Sequence, residues 1–204
     1  MEQVVLHQLL EKANLAIRSM GIRMLHEEQL AAALDLTPAM FRTIFTSKAE
    51  LLLQVMRHNL GRQRGELKEL FANLETPVEC LLAVLHHSLH ELRQSHQEYH
   101  VMRECYPLVW DALQEYLREF GQPLLTRLIQ ESMQQGQLRA LLDAPFIARI
   151  MLAQFNMVLN EHFFPPDYTN LSDVYRSIFF PYVRGLCTEE GMRITAPHFA
   201  RMWS

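Results

Sequence analysis

The sequence predicts an all-α protein of about nine or ten helices, with a small N-terminal three-helix domain ahead of a larger helical body. Three observations predict it. Apolar residues recur at spacings of three and four along most of the chain, the period of a helix with one buried face. Strand signals are close to absent: there is no Asn-Gly or Asp-Gly turn, alternation is not sustained, and the chain has only 7 glycines. Helix-start chemistry punctuates the chain at Thr37-Pro38, Ser47-Lys48-Ala49-Glu50, Thr76-Pro77 and Asp143-Ala144-Pro145.

Taken in order, Val5, Leu6, Leu9, Leu10, Ala13, Ile17 and Met20 form the apolar stripe of a first helix, which Gly21 can close. Residues 28–34 make a short second helix with Leu30, Ala31 and Leu34 inward. Asp35-Leu36 turns the chain, aspartate being tolerant of positive φ. Thr37 caps a third helix of about two turns, with Phe41 and Phe45 inward at a spacing of four. Ser47 then opens a long helix to about residue 73, its hydroxyl accepting from the N3 amide while Glu50 reaches back. Further helices are expected over 77–93 and 98–105. A long segment over 107–135 should kink or break at Gly121-Gln122-Pro123. Helices at 144–162 and 171–185 follow, separated by the loop FFPPDYTN; the pattern after Thr188 decides nothing. This gives a head at 1–47, a connecting helix at 48–73 and a body at 74–204.

Composition narrows the function classes. At 49% hydrophobic residues, the 204-residue chain can build a core, and a net charge of -4 without a charged tail announces no strongly charged partner. Cys80, Cys105 and Cys187 are far apart and odd in number, the pattern of reduced thiols. The N-terminus lacks a signal-peptide pattern and no apolar run is long enough to span a membrane, so a cytoplasmic location without membrane partners is expected. Glycine-rich phosphate loops, nucleophile elbows, zinc-protease motifs and paired Glu-x-x-His motifs are all missing, so neither an enzyme nor a cofactor is expected.

Two short helices joined by a tight turn after a longer one fit a helix-turn-helix. With Phe41 and Phe45 inward, Thr37, Pro38, Ala39, Arg42 and Thr43 face outward. The N-terminal amides can meet a phosphate, and small residues such as Ala39 and Thr43 can approach base edges or thymine methyls. Here the sequence resembles the TetR family of bacterial transcription regulators, over about residues 3–57 without a gap. The residues that carry it are Gly21, Leu30-Ala31, Asp35-Leu36-Thr37, Met40-Phe41-Arg42-Thr43-Ile44-Phe45 and Ser47-Lys48-Ala49-Glu50-Leu51-Leu52; Phe45-x-Ser47-Lys48 is the most specific part. The resemblance implies phosphate contacts at Thr37 and Lys48. It also implies a phosphate contact at Arg42, where the family usually has a tyrosine, and base-edge contacts at Thr43. It implies double-stranded DNA with a palindromic operator as partner, a homodimer, and a small-molecule effector bound in the body, most commonly in repression. Asp35 replaces the family's turn glycine, Ile44 loses a second tyrosine, and Leu25-His26-Glu27 stands for a usual Thr-Thr-Val. Residues 1–60 hold six Lys and Arg against six Asp and Glu, a neutral head and weak electrostatic footing for DNA. The other reading is a helix-turn-helix that has lost DNA recognition on a helical interaction or sensor protein.

In the body, residues 145–160 carry Arg149 as their only charge, and apolar side chains cover well over half the helix. Ile147, Ile150, Met151 and Val158, with Val174 and Ile178 of the next helix, are the expected dimer contact; a central place in one protomer's own core is the alternative. Tyr99, Met102, Tyr106 and Trp110, with Phe155 and Asn156, are candidate effector contacts, apolar walls with few polar groups, or else plain core. His86, His87, His90, His96 and His100 crowd one stretch, with pairs four apart at His86/His90 and His96/His100. Such pairs can ligate a metal, but surface histidines are the simpler reading and no metal is assigned.

Overall fold

The computed structural model describes residues 3–140, 143–165 and 169–202, the side chains of 3, 94–97 and 201–202 excepted. These residues form ten α-helices and no strand: α1 Gln3–Met20, α2 Glu27–Ala33, α3 Pro38–Ile44, α4 Lys48–Phe71, α5 Pro77–Cys105, α6 Pro107–Tyr116, α7 Gln122–Gln134, α8 Ala144–Val158, α9 Leu171–Leu186 and α10 Glu189–Met202. A π-helical segment, Leu117–Gly121, joins α6 to α7. None of the described helices is long and apolar enough to cross a membrane.

The helices pack as two compact units. One comprises Met1–Arg64 with Gln97–Glu115, the other Gly65–His96 with Tyr116–Ser204. α4 and α5 each contribute to both. The first unit is built on Leu9, Leu10, Ala13 and Ile17 of α1, Leu30 of α2, Phe41 of α3, Phe45, and Leu51, Leu52 and Val55 of α4, all buried. Val5 and Met20, at the ends of the α1 stripe, are exposed. Gly21 closes α1 at φ 78°, its N–H donating to Ile17 O at 2.8 Å.

The second unit centres on α5, α7, α8 and α9. Leu81, Leu82, Leu85 and Leu89 of α5 are buried with Leu128 and Ile129 of α7 and Phe179, Phe180 and Val183 of α9. Tyr175 stacks on Phe179 at 4.2 Å, and burial pushes its phenol well above the usual value despite a hydrogen bond with Ser88. The expected dimer residues differ in burial. Ile147, Met151 and Val158 of α8 are buried within their own unit, where α8 lies between α7 and α9. Ile150, Val174 and Ile178 remain partly exposed.

Three boundaries depart from the sequence reading. α5 is one helix of 29 residues rather than two, because the polar stretch between Arg93 and Glu98 contains neither glycine nor proline. The expected break at Gly121-Gln122-Pro123 is absorbed by the π segment, which accommodates the carbonyl that Pro123 cannot bond. α8 stops at Val158, where a turn in which Asn160 O accepts from the amides of Phe163 and Phe164 replaces its last expected turn. The chain after Thr188 becomes α10. Its start is stitched to the end of α7: Thr188 N donates to Gln137 O at 3.0 Å and Thr188 Oγ1 to Gly136 O at 2.7 Å. Gly191 lies so close that a Cβ there would stand 1.9 Å from Gln137 O.

Candidate nucleic-acid interface

α2 begins where Gln29 Oε1 accepts from His26 N at 2.8 Å. It ends in a turn that Asp35 makes at φ 56°, with Leu36 N bonded to Ala31 O at 2.9 Å. The Asp35 carboxylate, left outside, pairs with Lys12 Nζ at 2.5 Å, and that hydrogen bond holds its carboxyl below the usual range. Thr37 then caps α3, its Oγ1 accepting from Met40 N at 3.2 Å, with Pro38 as the first helical residue. Phe41 and Phe45 are 1% and 0% exposed, their rings 5.5 Å apart. They anchor the helix. Thr37, Pro38, Ala39, Met40, Arg42 and Thr43 are all exposed. The Thr43 hydroxyl donates to Ala39 O at 3.0 Å, leaving its oxygen as acceptor toward a base.

Behind α3 the next helix starts with a modified capping box. Ser47 Oγ accepts from Glu50 N at 3.2 Å, but Glu50 reaches one residue further back than expected, accepting from Thr46 N at 2.7 Å and from the Thr46 hydroxyl. These bonds lower the Glu50 pKa.

The charges in and beside the head are largely used within the first unit. Lys48 Nζ donates to Ile22 O and Leu25 O, each at 2.6 Å, and lies 5.7 Å from the centre of the Tyr106 ring. Its ammonium therefore closes the loop between α1 and α2; a phosphate must compete with two carbonyls for it. Glu27 faces Arg42, Oε2 to Nε 3.8 Å, and its other oxygen accepts from Lys48 N at 3.4 Å. Arg23 pairs with Glu104 at 3.2 Å. Arg42 keeps 69% of its side chain exposed and is the cation of α3 itself.

The candidate effector residues divide between the units. Tyr99 and Met102 are buried in the first unit, where Tyr106 lies under Lys48 and Trp110 under the Arg103 guanidinium at 5.5 Å. Phe155 and Asn156 belong to the second, partly buried. A cleft of about 380 Å³ in the second unit is lined by other residues, Leu74 and Leu82 with His86, His87, His90 and His198 among them. Burial lowers the His86 pKa. His198 Nε2 stands 3.3 Å from Glu79, and His87 Nε2 3.6 Å from Glu66. So part of the histidine stretch does converge, joined by a histidine more than a hundred residues on that no local spacing could reveal. His100 instead contacts Glu104 in the first unit at 3.3 Å, and the His96 side chain lies outside the described residues.

No family model and no curated protein matches the sequence. Solved structures match the fold. A TetR-family transcriptional regulator from Agrobacterium tumefaciens superposes with a TM-score of 0.70 at 16% identity, covering 91% of this chain and 99% of that one. A transcriptional regulator from Saccharomonospora viridis in complex with choline gives 0.71 at 16% identity, covering 89% and 97%. The regulator FadR from Bacillus subtilis in complex with stearoyl-CoA gives 0.65 at 16% identity, covering 88% and 98%. The chain has the all-α fold of these regulators over nearly its full length.

Proposed function

We propose that the protein is a transcriptional regulator that binds a palindromic operator as a homodimer through α3 and is released, as a repressor, by a small organic effector bound in its body. One observation carries this reading. α3 is held from behind by two buried phenylalanines and presents Thr37, Pro38, Ala39, Met40, Arg42 and Thr43 as a continuous exposed face, in a chain with the fold of transcriptional regulators. Arg42 is the proposed phosphate contact, Ala39 and Thr43 the base-edge contacts, and Thr37 and Pro38 the edge that meets the backbone. Lys48 supports the loop first and reaches DNA only if its carbonyl partners release it.

The dimer contact is assigned to the expected residues that keep some exposure, Ile150 on α8 and Val174 and Ile178 on α9, with exposed Phe146 and half-buried Met157 beside them. The functional division stays at 47 and 73. A ligand in the body would favour a spacing of the two recognition helices that no longer fits successive major grooves. The protein is read as cytoplasmic and non-enzymatic. Two of the matched regulators are in complex with choline and with stearoyl-CoA, both organic molecules. An organic effector is therefore the class to screen, with Tyr99, Met102, Tyr106, Trp110, Phe155 and Asn156 as the first contacts to vary.

A second reading is favoured by the internal use of Lys12, Arg23 and Lys48 and the neutral head: a sensor on this scaffold that no longer reads DNA. Titration of a selected DNA pool at two salt concentrations separates them. An operator binder loses affinity steeply with salt, and Arg42→Glu lowers affinity across sequences. A chain that enriches no sequence at low salt supports the second reading.

A further inference from the structure

Within the first unit, α1 and α4 meet along a seam of polar pairs. Asn59 Nδ2 donates to Asn14 Oδ1 at 2.9 Å, and about one turn along α1 from Asn14, His58 Nε2 lies 2.6 Å from Glu11 Oε1. His7 stands one turn further toward the start of α1, its ring centre 4.6 Å from that of His58 at an interplanar angle of 76°. His7 and Glu11 are four apart and so share one helix face, and His58 comes to them from the other helix. One nitrogen of each histidine and one carboxylate oxygen all lie within 4.8 Å of one another.

We propose that His7, Glu11 and His58 form a binding site for a zinc-class divalent transition metal that clasps α1 to α4. Two imidazole nitrogens and one carboxylate oxygen suit zinc, cobalt or nickel better than magnesium or calcium, which take oxygen donors. With bonds of about 2.0–2.1 Å, tetrahedral zinc sets its ligand atoms about 3.3 Å apart. Exposed His7 has room to swing in by the roughly 1.5 Å at most that this requires, while His58 Nε2 and Glu11 Oε1, now 2.6 Å apart, must part by about 0.7 Å to admit the ion. His58 and Glu11 already face each other across the seam, the His58 side chain only 14% exposed. The ion takes the lone pair on each imidazole nitrogen and the carboxylate oxygen. The proton held between His58 and Glu11 leaves to water, and a water molecule fills the fourth position. Arg62 also acts on Glu11 and is the cation that opposes the ion. The site does not depend on DNA binding; it stands on the α1–α4 seam whether or not α3 enters a groove.

The test uses the tag-free full chain in equilibrium dialysis against zinc, with cobalt absorption as a second readout of coordination. Wild type should take up one ion per chain with the visible bands of a four-coordinate cobalt site, and zinc should raise its Tm. His7→Ala, at an exposed position that folding does not need, and Glu11→Gln should each weaken binding by at least about ten-fold, the loss that even an outer-shell partner causes. Wild type that binds no ion overturns the proposal. So does binding that persists in His7→Ala and disappears in His87→Gln, which would place the ion among the histidines of the second unit.

Discussion

At the residue scale, the side chains that face inward on α3 were legible because two phenylalanines four apart can only share a face. Lys48 was not. Its position in the pattern suggested a phosphate contact, but a long flexible side chain goes where acceptors are, and the carbonyls of Leu25 and Ile22 lie 23 and 26 positions earlier in the sequence. Lys48→Met should therefore lower stability by about 1.5–3 kcal/mol, the value of hydrogen bonds to a charged group, seen as a fall in Tm without any DNA present. An unchanged Tm would return Lys48 to the solvent side. Phe41→Ala should cost about 3–5 kcal/mol, as for other large buried aromatics, and unfold the head in denaturant titrations. Acid should destabilise the chain in two windows. The His86 pKa is lowered by burial from 6.5, so the stability it contributes is present above 6.5 and is lost as pH falls through its folded value. Glu11 and Glu50 are lowered from 4.5, chiefly by hydrogen bonds from His58 and Thr46, so their contribution is present above 4.5 and is lost below it. Tm measured from neutral to acid pH should fall in both windows, and a rise below 6.5 would contradict the burial of His86.

At the element scale, caps and prolines placed most helix starts within a residue or two, since Thr37 and Asp143 each accept from the first turn they open. Helix continuity was harder to read. Polarity around residues 93–98 resembles a loop, yet nothing there opposes helical φ and ψ, and the structure runs straight through. The reverse holds at 117–121, where glycine and proline together are spent on a π turn rather than a stop. The start of α10 could not be foreseen, because it is fixed by the distant backbone of Gly136 and Gln137. Gly191 is the residue that contact requires. Gly191→Ala forces a side chain into Gln137 O and should cost about 1–3 kcal/mol, against a slight gain at an ordinary helix position. Differential scanning calorimetry of that variant beside Gly185→Ala, where a Cβ meets nothing, separates contact from propensity.

For the whole molecule, fold class was legible from period and punctuation, and the helix-turn-helix from its motif. The second-unit surfaces were not, since an apolar helix reads alike whether it faces its own core or a second copy. On α8, Ile147 and Met151 are buried, Ile150 is half-buried and Phe146 is exposed. Ile178→Glu should hold a dimer apart while leaving the protomer folded. Sedimentation should then give one mass for the variant and twice that for wild type, whereas equal masses would remove α9 from the contact. The central claim is that α3 reads DNA, and the most direct measurement is selection from a random DNA pool by wild type and Arg42→Glu in parallel at low salt. The account predicts a palindromic site recovered by wild type and lost with Arg42→Glu. No enriched sequence with wild type, in the presence or absence of zinc, would contradict it.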